Sequence, residues 1–167
     1  MSKNNKLLII NTGGTFNKVY NQINGKLEVP QNNDAVKSIL KASKIDHVKI
    51  KGLIYKDSLD ITDEDRKTLC TVIENSPFKK ILIIHGTDTI DKTASFLADN
   101  IKNRSIVLTA SMQPYSIDAV EAVSNLMTGY GFLQNCKRNG VFISMHGFVK
   151  KYNKIKKNKK LGVFECL

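Results

Sequence analysis

Apolar residues fall along this chain in short continuous bursts, separated by stretches with a helical period. The bursts are Leu7–Ile10, Val48–Ile54, Ile81–Ile84, Ile106–Leu108 and Val141–Ser144, all rich in isoleucine and valine. Runs this short, mostly without polar alternation, are the pattern of strands covered on both faces. Between them, Asp34–Ala42 sets Val36, Ile39 and Leu40 on one helical face. Thr62 opens a further helix, with acids in its first turn and an inner stripe of Leu69, Val72 and Ile73. Asp91–Ile101 and Ile117–Gln134 complete the helical set. Strands alternating with helices predict an α/β fold: an open, mainly parallel sheet with helices on both faces.

Such sheets hold ligands outside the carboxyl ends of their strands, so the residues following each burst matter most. Two bursts end in threonine and glycine: Thr12-Gly13-Gly14-Thr15, and His85-Gly86-Thr87-Asp88-Thr89. Glycine lets a backbone turn tightly and approach a ligand, and N–H groups at the next helix start can hold an anion or oxyanion. Asp57 and Ser58 follow the second burst, and the segment Thr109–Ser116 follows the fourth. A threonine hydroxyl is a poor nucleophile at neutral pH and needs a base or a charged partner. A lysine serves if burial or a nearby cation lowers its pKa, and a carboxylate such as Asp88 can hold a substrate ammonium. Each loop also has a plain reading: the first as a tight turn, the second as a helix cap. Two such loops at the ends of parallel strands favour a site. His85 reads as a structural hydrogen-bonder, His47 and His146 have no matched partners, and no metal site is indicated.

Composition narrows the picture. The 167 residues suit one domain with a real core. Lys plus Arg number 26 against 15 Asp plus Glu, a net charge of +11, and seven of the lysines lie in Lys150–Lys160. A run of this kind reads as a solvated loop; nucleic acid or an acidic surface is the less favoured partner. Cys70, Cys136 and Cys166 are far apart and lack metal-ligand spacing, which argues against a disulfide frame and for a reducing cytoplasm. The first apolar run is too short for a signal-peptide core, and no stretch approaches membrane-span length.

The combination of these motifs resembles the asparaginase/glutaminase family of bacterial type I and type II amidohydrolases. TGGT near the N-terminus and HGTDT after a later strand are similar to that family's two signatures, and "DSLDIT", "TASMQP", "EAVSNL" and "GVFISMHG" resemble further family segments. The resemblance implies that Thr15 is the primary nucleophile, with Gly14 lending an oxyanion N–H. It implies that Thr87 helps activate the water or the nucleophile, and that Asp88 holds the substrate's α-ammonium. Ser58 would bind the α-carboxylate, with Asp57 and Ala110 as further substrate contacts. Lys157, placed by its distance to Phe164, would complete a threonine–lysine–aspartate set, with Lys154 or Lys156 as alternatives. The implied substrate is a small amino-acid amide, and no cofactor is called for.

Several positions depart from the family pattern. The family's loop tyrosine is replaced near Lys26 or Leu27, with Tyr20 earlier in the loop; Leu59 stands where a polar residue is often found; and Ala110 and Ala122 replace glycines. Family chains carry a smaller C-terminal domain that closes the site. Residues 1–167 are expected to form a single domain like the family's N-terminal one, with the C-terminal domain absent. An apolar face left over by that absence implies a homo-oligomer, and the lysine-rich tail is expected to be partly unordered without ligand. The alternative readings are a non-catalytic domain that binds a small amino acid or a partner protein, and an amidotransferase-like subunit acting near tRNA.

Overall fold

The computed structural model describes residues 7–167. In chain order its elements are β1 (Leu7–Gly13), β2 (Val19–Asn21), β3 (Lys26–Glu28), α1 (Asp34–Ala42), β4 (Val48–Lys56), α2 (Asp63–Glu74), β5 (Lys80–Ile84), α3 (Ile90–Asn100), β6 (Ser105–Thr109), α4 (Ala119–Asn135), β7 (Gly140–Met145), β8 (Phe148–Lys151), β9 (Ile155–Asn158) and β10 (Val163–Cys166). Short 3-10 turns follow β1, β4 and β8.

Six strands form one sheet in the order β4-β1-β5-β6-β7-β8, parallel except for the antiparallel β7–β8 pair. Successive residues of a strand point to opposite faces, and here each face has its own core. Leu8, Ile10, Ile81, Ile83, Ile106 and Leu108 pack under α2 and α3, against Leu69, Ile73, Ala94 and Leu97. Leu7, Ile9, Leu82, Ile84 and Val107 pack under α1 and α4, against Val36, Ile39, Leu40, Ala122 and Leu126. This two-sided cover is why the central bursts are continuously apolar, as expected of an open, mainly parallel α/β sheet with helices on both faces.

The helices begin where local chemistry allows. Thr62 caps α2 in a capping box with Asp65: the Thr62 hydroxyl accepts the Asp65 N–H, and the Asp65 carboxylate accepts the Thr62 N–H. α4 starts at Ala119 rather than Ile117, because the Asp118 side chain caps it by accepting the Val120 N–H. Three features differ from the sequence reading. β2 and β3 form a separate hairpin, β8 adds an antiparallel edge strand, and the lysine-rich tail folds into the β9–β10 hairpin. That hairpin is anchored by Ile155 and Phe164, buried in the α3-side core, an anchor that lysine count conceals.

The strand order sets the site. β1 lies between β4 and β5, so the chain leaves β1 for one neighbour and returns on its other side. The crevice at such a reversal is where open sheets bind ligands. The Thr12–Thr15 loop and the His85–Thr89 loop are the carboxyl ends of the two strands at that point.

Candidate active site

Three loops converge through their glycines. A Cβ built on Gly14 would lie 2.6 Å from the Gly86 Cα, and one on Gly86 would lie 2.6 Å from the Ser58 Oγ. Gly14 also has φ of 72°, a left-handed conformation that side chains resist. Glycine here is therefore a condition for the close approach of the loops that carry Thr15, Ser58 and Thr87: Thr15 follows Gly14, and Thr87 follows Gly86.

Within each motif one threonine is structural and the other is not. The Thr12 hydroxyl donates to the Ile84 carbonyl at 2.8 Å, tying β1 to β5, and the Thr89 hydroxyl donates to the Ser58 carbonyl at 2.6 Å. Thr89 occupies the N-cap position of α3 but makes no capping bond, so a cap alone does not account for the motif. Thr87 is different: the Lys157 Nζ donates to its Oγ1 at 2.8 Å and to Asp88 Oδ1 at 2.7 Å. The Lys157 side chain is largely enclosed. It reaches this position from β9, opposite Phe164 in the hairpin register. A cavity of about 30 Å³ beside it is lined by Thr87, Asp88, Ile155, Lys157 and Phe164 among others. Thr15 is half-buried, and among the described residues its hydroxyl makes no hydrogen bond. The same holds for the Ser58 hydroxyl, though Ser58 is buried.

Three of the expected contact residues have partners within the domain. The Gly14 N–H donates to the Lys56 carbonyl at 2.8 Å, so it does not point at an oxyanion. The N–H of Thr15 opens the following 3-10 turn and has no partner within it. Asp57 is not a free substrate contact: its carboxylate pairs with Lys18 at 2.6 Å and accepts the Leu59 N–H. Burial opposes its charge, but the bonds from Lys18 and Leu59 win and hold its pKa below the usual carboxylate range. Ala110 is fully enclosed in the core, and its carbonyl accepts the Asn125 side-chain N–H at 2.9 Å.

Behind the HGTDT loop lies a buried polar chain that sequence reasoning saw only in part. His85 Nδ1 contacts the Gly86 carbonyl, and Nε2 contacts the Thr93 hydroxyl, each at 2.9 Å. A carbonyl can only accept, so Nδ1 carries the proton and Nε2 accepts from Thr93. The Thr93 oxygen in turn accepts the Arg66 Nε–H at 3.1 Å, and Arg66 pairs with Asp63. Burial, reinforced by the Arg66 charge and only partly offset by the Gly86 carbonyl, pushes the His85 pKa down to about 4. Arg66 and Thr93 sit on helical faces that read as ordinary packing, so no sequence signal marks them as partners of His85.

Among the described residues, no cluster of three His, Cys, Asp or Glu side chains is placed to hold a metal ion, and no helix is long and apolar enough to cross a membrane.

The architecture is that of an α/β domain whose candidate site lies at the carboxyl edge of its sheet. Residues 6–163 match the N-terminal asparaginase domain, and the chain belongs to the asparaginase family. It is 32% identical over 133 residues to an L-asparaginase of Thermococcus kodakarensis, an alignment covering 76% of this chain and 40% of that protein. The solved thermostable L-asparaginase from Thermococcus kodakarensis superposes with a TM-score of 0.83 at 27% identity, over 97% of this chain and 51% of that one. The structure of a probable cytoplasmic L-asparaginase from Campylobacter jejuni shares the fold, with a TM-score of 0.76 at 20% identity, over 96% of this chain and 52% of that one. The chain thus spans about half the length of the relatives it matches.

Proposed function

We propose that this domain carries the catalytic residues of an amidohydrolase acting on the side-chain amide of asparagine or glutamine. The observation that carries the reading is the Lys157 Nζ bridging the Thr87 hydroxyl and the Asp88 carboxylate. A lysine held by a carboxylate and placed on a hydroxyl forms a unit for moving a proton at that hydroxyl oxygen. Thr15 is the nucleophile: its oxygen adds to the amide carbon, its proton passes through the Thr87–Lys157 pair to the departing nitrogen, and ammonia leaves. Water then cleaves the resulting ester, returning the Thr15 hydroxyl and releasing the acid. The Thr15 N–H faces the developing oxyanion. The Ser58 hydroxyl, which has no partner among the described residues, holds the α-carboxylate. Asp88 Oδ2, which makes no described hydrogen bond, receives the α-ammonium. The Thermococcus relative, named an L-asparaginase, supports this substrate class.

The test is ammonia release by the purified chain with asparagine, glutamine and small peptides bearing either residue. The expected result is release from a free amino-acid amide that is lost in Thr15→Ala. Binding of the amino acid without release would instead establish a binding domain. The absence of both binding and release would overturn the proposal.

A further inference from the structure

The lysine hairpin is held to the body of the domain by a histidine that the proposed reaction does not use. In the β9–β10 ribbon, Phe164 is opposite Lys157, yet the Phe164 N–H donates away from β9, to His146 Nδ1 at 3.2 Å. An antiparallel ladder leaves every second pair without mutual hydrogen bonds, so this N–H lies on the outer edge of the ribbon. On its other side, His146 Nε2 is 3.2 Å from Glu121 Oε1 on α4. Because Nδ1 accepts, Nε2 bears the proton and donates to the carboxylate. Glu121 is itself fixed, accepting the N–H groups of Met112 and Gln113. The His146 N–H donates to Asn125 Oδ1 at 2.8 Å, which holds the residue at a φ of 50°. The His146 and Phe164 rings meet edge to face at 5.9 Å.

We propose that His146 is the positioning residue that seats the lysine-bearing hairpin against the Thr87–Asp88 loop, by accepting the outward N–H of Phe164. It touches no reacting group and acts through the hairpin. On the far side of the ring, Glu121 from α4 fixes its orientation by accepting the Nε2–H. The catalytic consequence rests on the amidase reading above; the seat itself does not.

Amide hydrogen exchange on the whole chain tests the seat without any assay of activity. His146→Asn keeps an acceptor, since the Asn Oδ1 stands where Nδ1 stood, and asparagine tolerates positive φ. His146→Gln keeps a donor toward Glu121 and removes the acceptor. The expected result is that Phe164 exchanges at least about tenfold faster in His146→Gln and near the wild-type rate in His146→Asn, the scale of one lost hydrogen bond. Ile83 in β5 serves as the reporter of global opening. Equal exchange of Phe164 in the two variants overturns the proposal. If ammonia release is established, kcat drops in His146→Gln with KM little changed. If it is not, the exchange result stands alone.

Discussion

Lys157 and Thr87 are separated by 70 positions in the chain, and their side chains meet at 2.8 Å. Neither is held there by its own loop. Thr87 is placed by the glycine contacts of the sheet's central loops, and Lys157 by a hairpin anchored through Ile155 and Phe164. Removing the ammonium should therefore affect chemistry far more than folding. Lys157→Met is expected to lower ammonia release at least about a hundredfold, the scale for loss of a general acid–base group, with an unchanged thermal midpoint. Lys154→Met, on the exposed 3-10 turn before β9, serves as the control and keeps the rate. Full activity in Lys157→Met would remove the lysine from the mechanism.

The approach of Gly14 to Gly86 gives a second prediction. A methyl group at Gly14 meets backbone atoms at 2.6 Å and must also adopt a φ of 72°. Gly14→Ala should destabilise the domain by roughly 2 kcal/mol or more, because backbone at both sides cannot yield cheaply. Urea unfolding measures this, and a midpoint equal to wild type would show that the loops are not in contact.

His85 predicts a pH dependence of stability. Its folded pKa, near 4, lies below the ordinary histidine value of 6.5. Between those values the unfolded chain binds a proton that the folded protein refuses, so stability falls as pH falls through that window. The loss is on the order of 3 kcal/mol when complete. Asp57 and Asp65 have lowered folded pKa values, so their losses begin only below the unfolded carboxylate value of 3.8. The two windows therefore separate. Thermal midpoints measured from pH 7 down to pH 4 should slope in wild type, and the slope should shrink in His85→Asn. A slope that survives this substitution would assign it to other groups.

Leu59, Ile117 and Leu161 on loops and turns, and Val120 in the first turn of α4, have well over half of their surface in solvent. Leu59 follows β4, and Ile117 and Val120 follow β6, so three of them belong to the carboxyl edge of the sheet, which also carries the candidate site. Apolar residues gathered at one edge mark a contact surface, and the expected state is a homo-oligomer. Light scattering at high micromolar concentration decides it; a monomer there is the opposing result, and Val120→Asp should shift any assembly toward monomer.

The sequence by itself determined the layering. Continuous apolar bursts such as Ile81–Ile84 are legible because both faces of β5 are covered, and burial on two faces removes the polar alternation that would otherwise mark a strand. Thr62 and Asp65 were legible as the start of a helix because a capping box is local. The two threonine motifs were legible for the same reason, each lying within a few residues of a strand end. What only the tertiary structure decided is which groups are free. Asp57 and Gly14 looked available in the sequence, and Lys18 and the Lys56 carbonyl occupy them. The lysine run looked like solvated charge, because charge is counted per residue, whereas its order comes from two buried apolar side chains on either side of a turn. His146 had no visible partner, because Glu121 and Phe164 reach it from opposite directions in sequence, 25 and 18 residues away. Hydrogen bonds are short-ranged and directional, so they follow proximity in space, and that proximity is set by the order of strands in the sheet.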